Sequence, residues 1–181
     1  MRVAAFIERD GLLNSVRIRN ESTITPVMLE DFKIQHGAAS LVKVLREAGY
    51  VVIATTNQPG LSSGDLSRRE LDLMHDMLIK NLDLDDIMVC PHSESDSCPC
   101  RKPRPGLLIE AGFKWHVDLD RSVAISDKWQ DAEAARIAGC TSILIESAWN
   151  GPGHHDFKVE SFEKAVEKAV ALMNTSGIFA R

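Results

Sequence analysis

Short apolar runs rich in β-branched residues alternate along this chain with amphipathic helical patterns, and that alternation restricts the fold more than any other feature. The runs are residues 2–7, "YVVIATT", "DIMVC", "SVAIS" and "TSILI". Between the first two lies "GAASLVKVLREAG", with apolar residues at Leu41, Val44 and Leu45 and a C-cap at Gly49. The next helical pattern is "LSRRELDLMHDMLIKNL", in which Ser67 and Glu70 have capping-box spacing. Further helices are expected from "RPGLLIEAG", in "DAEAARIAG" and near residues 160–173, while 11–36 and 146–158 read as loops. Strands separated by helices imply a mostly parallel sheet with helices on both faces. One α/β domain is expected over residues 1–175, with a short C-terminal tail at 176–181 and no large cap domain.

Composition narrows the function classes. Apolar residues make up 44% of the chain and charged ones 26%, ordinary for a globular protein. The formal net charge of -5 argues against a general nucleic-acid partner, although local cations can still hold phosphate. No apolar stretch is long enough to span a membrane, and the N-terminus lacks the basic start and apolar segment of a signal peptide. A cytoplasmic protein with no membrane partner is therefore expected. With no large exposed apolar face in the pattern, the expected state is a monomer.

In open parallel sheets, ligands bind beyond the carboxyl ends of the strands. Three of the predicted strand ends carry reactive polar groups: Glu8 and Asp10, Thr56 and Asn57, and Asp127 and Lys128. A single carboxylate after a strand is more often a helix cap or a turn former. Three such ends on one sheet edge call for a chemical reason. Between the second and third ends lies "CRKPRPG", where Arg101 and Lys102 offer a planar fork and a point charge for phosphate. Carboxylates for a hard cation, a hydroxyl and amide for phosphate oxygens, and cations for the remaining charge form an inventory for phosphoryl transfer. Mg²⁺ suits such a set because it takes a few oxygen ligands and keeps water and substrate phosphate.

The stretch "CPHSESDSCPCRKP" holds Cys90, His92, Cys98 and Cys100 in a C-x-H-x5-C-x-C arrangement. Three thiolates and an imidazole make a closed tetrahedral set, as in structural Zn²⁺ sites. Residues 90–100 are thus expected to be a zinc-binding loop, whose metal would fix Arg101 and Lys102 directly after it. Cys140 reads as a small buried apolar residue. His154 and His155 read as a solvent-exposed pair, and His36, His75 and His116 as isolated. Trp115, Trp129 and Trp149 read as packing residues, Trp129 being near enough to Asp127 to line a pocket.

The blocks "FIERDGLLN", "TTNQPG", "CRKPRPG" and "SDKWQD" resemble, in order and spacing, those of the haloacid dehalogenase-like phosphatases, within which they are most similar to the heptose-bisphosphate and histidinol-phosphate phosphatase group. The resemblance runs from residue 3 to about 146 and implies a single Rossmann-like domain. It implies a Mg²⁺-dependent phosphatase acting on a small phosphorylated sugar such as a heptose 1,7-bisphosphate, or on histidinol phosphate, through a phospho-carboxylate intermediate. By that resemblance Glu8 stands at the nucleophile and Asp10 at the general acid/base, with Glu8, Asp10 and Asp127 as Mg²⁺ ligands. Thr56 matches the hydroxyl that holds the phosphoryl group, Lys102 the neutralising lysine, and Asp131 the second acidic position. Arg9, Asn57, Gln58, Arg101 and Lys128 fall beside the substrate.

Three departures qualify this, the smallest being Ser126, where the family commonly has glycine before the acidic turn. The nucleophile position holds Glu where the family has Asp, and its extra methylene displaces the attacking oxygen by about an ångström, which can cost about a hundredfold in rate. The alternative implied is a catalytically impaired phosphate-ester-binding protein. The segment "SVRIRNESTITP" also lacks the glycine- and aromatic-rich recognition segment of the heptose enzymes. In its place Arg17 and Arg19 read either as cations for a second phosphate or another anion, or as solvated charges on a loop.

Overall fold

The computed structural model describes residues 1–176. In chain order the elements are β1 (Ala4–Glu8), β2 (Arg17–Arg19), β3 (Ser22–Ile24), α1 (Ala38–Glu47), β4 (Val51–Asn57), α2 (Gly60–Ser63) and α3 (Arg68–Leu82). They continue as β5 (Asp86–Cys90), α4 (Gly106–Trp115), β6 (Val123–Ser126), α5 (Trp129–Ala138), β7 (Thr141–Ile145), β8 (Phe157–Val159) and α6 (Phe162–Ser176). The expected tail beyond Ser176 lies outside the described residues, and Ser176 itself closes α6.

Six strands form one sheet in the order β5-β4-β1-β6-β7-β8, with every neighbouring pair parallel. Along β1 successive side chains leave by opposite faces. Ala5 and Ile7 join Val52, Ala54 and side chains of α1, α3 and α6. Ala4 and Phe6 join Val51, Ile53 and side chains of α4 and α5. Both faces are therefore covered, which explains why β1 is buried throughout and reads as a continuous apolar run. Truncating Phe6, 1% exposed, to Ala would cost about 3–5 kcal/mol.

The helix signals operate as expected. Ser67 accepts a hydrogen bond from Glu70 N–H at 3.1 Å at the start of α3, and α5 ends on Gly139 with a left-handed backbone. Two expected loops contain more structure than the pattern revealed. Residues 11–36 include the antiparallel β2–β3 hairpin, and 146–158 lead into β8, a parallel edge strand. The hairpin is almost fully exposed, so it carries no buried face for periodicity to reveal.

The chain builds outward from β1 through β4 to β5, then returns to place β6 on the other side of β1. That reversal opens a crevice at the carboxyl end of β1, where ligands bind in such sheets. Among the described residues, no helix is long and apolar enough to cross a membrane.

Candidate active site

Glu8 closes β1 with its backbone paired to Thr55 of β4. The chain then turns at once: Leu13 and Asn14 N–H both donate to Arg9 C=O, and Gly11 adopts φ 106. A Cβ at Gly11 would lie 3.1 Å from Asp127 Oδ2, so the turn and the close approach together require glycine. The Glu8 carboxylate turns to Lys102, whereas that of Asp10 turns to Arg9, Asn14, Thr56 and Gln58.

Glu8 is buried at 4% exposure. Its Oε2 accepts from Lys102 Nζ, and its Oε1 accepts Asp10 N–H at 3.3 Å. Burial pushes this carboxyl up, but the charges of Lys102 and Lys128 outweigh it and hold Glu8 below the ordinary carboxylate range. Lys102 Nζ also donates to Asp131 Oδ1 at 2.5 Å, which makes it a bridge between two carboxylates. Burial lowers the Lys102 pKa; Asp131 and Glu8 together overcome that and raise it. Burial pushes Asp131 up to about 7 despite Lys102, and its Oδ2 has no hydrogen-bond partner. The Lys102 backbone is held by Asn57, which accepts its N–H at 3.1 Å and donates to its C=O at 3.2 Å.

Asp10 sits in a cage of donors: Arg9 at 2.8 and 3.1 Å, Asn14 at 3.0 Å, Thr56 at 2.9 Å and Gln58 at 2.8 Å. Burial raises its carboxyl, but the Arg9 guanidinium and these hydrogen bonds hold it below its ordinary value. Asp127 follows β6, with Trp149 Nε1 donating to its Oδ2 at 3.0 Å and Lys128 Nζ to its Oδ1 at 2.9 Å. Lys128 Nζ also donates to the Asp10 carbonyl at 2.6 Å and lies 3.9 Å from Glu8 Oε1. Two carboxylates and a main-chain carbonyl thus face one point, a hard-oxygen donor set suited to a cation such as Mg²⁺.

Glu8, Asp10, Lys102, Lys128 and Asp131 line a cavity of about 280 Å³ together with Thr23, Thr25, Asn57, Pro59, Arg101 and Gln130. A second cavity of about 280 Å³ adjoins it and shares Arg101, Lys102 and Gln130, with Arg104 and Trp129 on its far wall. Trp129 is therefore a pocket residue. A larger groove of about 590 Å³ beside α1 and the end of α3 holds none of this chemistry.

Several expected substrate contacts lie elsewhere. Arg9 is 0% exposed, pairs with Asp10, approaches His75 Nε2 at 3.0 Å and lies over the Phe32 ring. With no solvent-facing surface, it serves Asp10 rather than a substrate. His75 is correspondingly not isolated. Thr56 and Gln58 are buried with their polar atoms turned to Asp10. Arg17 is exposed and paired with Asp31, and Arg19 is exposed on the hairpin; neither joins the cavity wall. Thr23 and Thr25 do, and no sequence signal marks them, because only the hairpin's fold brings them over the site. Asn14 had one: it stands four residues after Asp10 in the same turn.

The ligand atoms of Cys90, His92, Cys98 and Cys100 all lie within 4.8 Å of one another. The Cys90–Cys98 and Cys98–Cys100 sulfurs are 3.6 and 3.5 Å apart, and His92 Nδ1 is 3.3 Å from Cys100 Sγ. A tetrahedral Zn²⁺ with Zn–S of ~2.3 Å sets S–S edges of roughly 3.8 Å. The cluster fits such an ion, and these separations are too long for disulfide bonds. Arg101 donates to His92 C=O at 3.2 Å and Arg104 to Cys98 C=O, so the loop anchors both cations.

Residues 99–165 match a family model described as HAD-hydrolase-like. The D-glycero-beta-D-manno-heptose-1,7-bisphosphate 7-phosphatase of Rhodopseudomonas palustris is 32% identical over 157 residues, covering 80% of this chain and 84% of its own. The Helicobacter pylori J99 protein of the same name is 33% identical over 148 residues, 78% of this chain and 82% of its own. Among solved structures, the D,D-heptose 1,7-bisphosphate phosphatase from B. bronchiseptica, complexed with magnesium and phosphate, superposes with a TM-score of 0.80. It is 27% identical and the match covers 94% of this chain and 99% of that one.

Proposed function

This chain belongs to the haloacid dehalogenase-like hydrolases, and from that premise we propose that it is a Mg²⁺-dependent phosphatase of a small phosphorylated sugar, of the heptose 1,7-bisphosphate kind. The reading rests most heavily on one observation: Glu8, Asp10, Lys102, Lys128 and Asp131 all face a single cavity at the carboxyl edge of the sheet.

In the proposed reaction a Glu8 carboxylate oxygen attacks phosphorus, and the bond to the sugar oxygen breaks, leaving a glutamyl phosphate, a mixed anhydride. Asp10 acts as the acid in its protonated form, which the donors around it disfavour in the resting site, and gives that proton to the departing oxygen. It then accepts a proton from the water that attacks the phosphoryl group, which releases phosphate and restores Glu8. Lys102 neutralises Glu8 and the entering phosphate, and Asp131 holds Lys102 in place. Glu8, the Asp10 carbonyl and Asp127 would hold Mg²⁺, which when bound neutralises the phosphoryl oxygens. Thr56 and Gln58 orient Asp10, and Arg101 with Lys128 are assigned to the substrate. Cys90, His92, Cys98 and Cys100 are assigned to a structural Zn²⁺.

Glu8 itself favours a second reading. Its longer arm is pinned by Lys102, and a protein that binds a phosphate ester without turning it over would retain every other part. Phosphate release over heptose 1,7-bisphosphate, sugar monophosphates and histidinol phosphate, with Mg²⁺, separates the two. Release by the native protein supports the phosphatase; release only after Glu8→Asp supports the silent binder.

A further inference from the structure

The ammonium of Lys128 sits on the oxygens assigned above to the divalent cation. It donates to Asp10 C=O at 2.6 Å and to Asp127 Oδ1 at 2.9 Å, with Glu8 Oε1 at 3.9 Å. An ammonium bonded to the first two fills the space between them. A divalent ion on the same oxygens needs contacts of about 2.0–2.1 Å and brings two further positive charges into a buried site. The two cations cannot share it. Yet Lys128 is not sealed in: its side chain is 19% exposed, whereas that of Lys102 is 3% exposed, and Lys128 lines the cavity beside Gln130 and Arg101.

We propose that Lys128 is the resident occupant of the divalent-cation seat, and that binding Mg²⁺ requires its ammonium to swing out into the substrate cavity. The inference rests on the Mg²⁺ reading above. Metal entry then delivers a cation to the cavity as well as filling the seat, so metal and phosphate ester bind in a coupled way. While Lys128 is seated the site is not competent for metal, and the apparent affinity is reduced by the competent fraction.

Calorimetric titration of Mg²⁺ into the native protein, Lys128→Met and Lys128→Gln tests this. Removing the competitor is expected to tighten Mg²⁺ binding about tenfold or more, as for a competent fraction of about one in ten. A crystal grown with Mn²⁺ should show the native Lys128 Nζ withdrawn from Asp10 C=O. Equal or weaker binding in both variants overturns the proposal while native binding keeps the Mg²⁺ reading intact. So does a crystal with Mn²⁺ on Glu8 and Asp127 and Lys128 still on Asp10 C=O. Binding by none of the three proteins overturns both.

Discussion

The indole N–H of Trp149 donates to Oδ2 of Asp127 at 3.0 Å, tying a half-buried loop residue to a carboxylate at the centre of the candidate site. Ser147 Oγ and Asn150 Nδ2 both donate to the Asp127 carbonyl at 2.8 Å, so the loop after β7 fixes this residue from two sides. Hydrogen bonds of this kind orient a metal ligand, and losing one typically costs 10–100-fold in metal affinity. Trp149→Phe keeps the ring and loses the donor. Its Mg²⁺ dissociation constant, measured by calorimetry, is expected to rise about tenfold or more, with the fold unchanged by circular dichroism.

Lys102→Met leaves Glu8 and Asp131 facing each other without the cation that bridges them. Breaking a buried ion pair by removing one partner costs about 3–5 kcal/mol. The denaturant midpoint should fall accordingly, and phosphate release should drop by at least about a hundredfold. An unchanged midpoint would contradict the bridge.

The cysteine loop should carry about one Zn²⁺ per chain when purified without chelator, measured by elemental analysis. Stripping the metal frees the carbonyls that anchor Arg101 and Arg104, so KM should rise more than kcat falls. Cys98→Ser should reproduce the same pattern together with a lower Tm.

His75 is held down to about 4 by burial and by the Arg9 charge beside it. An unfolded histidine titrates near ~6.5, so the native state favours the neutral ring. Its contribution to stability is complete above pH ~6.5, declines as the pH falls toward about 4, and is then lost, at most about 3 kcal/mol in all. Urea midpoints of native protein and His75→Gln, compared across that window, should converge as the pH drops. Parallel curves would contradict the assignment.

Much of the fold was legible because each central strand is buried on both faces and the helices end on clear signals, such as Ser67 at the start of α3 and Gly139 at the end of α5. The exposed hairpin and the partly buried edge strand β8 were not, since three-residue strands owe their form to tertiary position rather than pattern. At the site, the strand-end motifs singled out Glu8, Asp10 and Lys128 and the stretch after the cysteines singled out Lys102, and the fold brings these four to one cavity. Arg9 reads in the sequence as a substrate contact because nothing local shows that the turn after β1 buries its guanidinium against Asp10, His75 and Phe32. Trp149 carries no local signal: its role depends on a loop folding back 22 residues beyond Asp127.

The most direct test of the Glu8 nucleophile is acid-quenched turnover, with the peptide containing residues 3–14 mapped by mass spectrometry. A phosphoryl group on Glu8 that forms with substrate and Mg²⁺, and disappears in Glu8→Gln, is the expected result. Phosphate released at the native rate by Glu8→Gln, or a phosphoryl group mapped to any other residue, would contradict it.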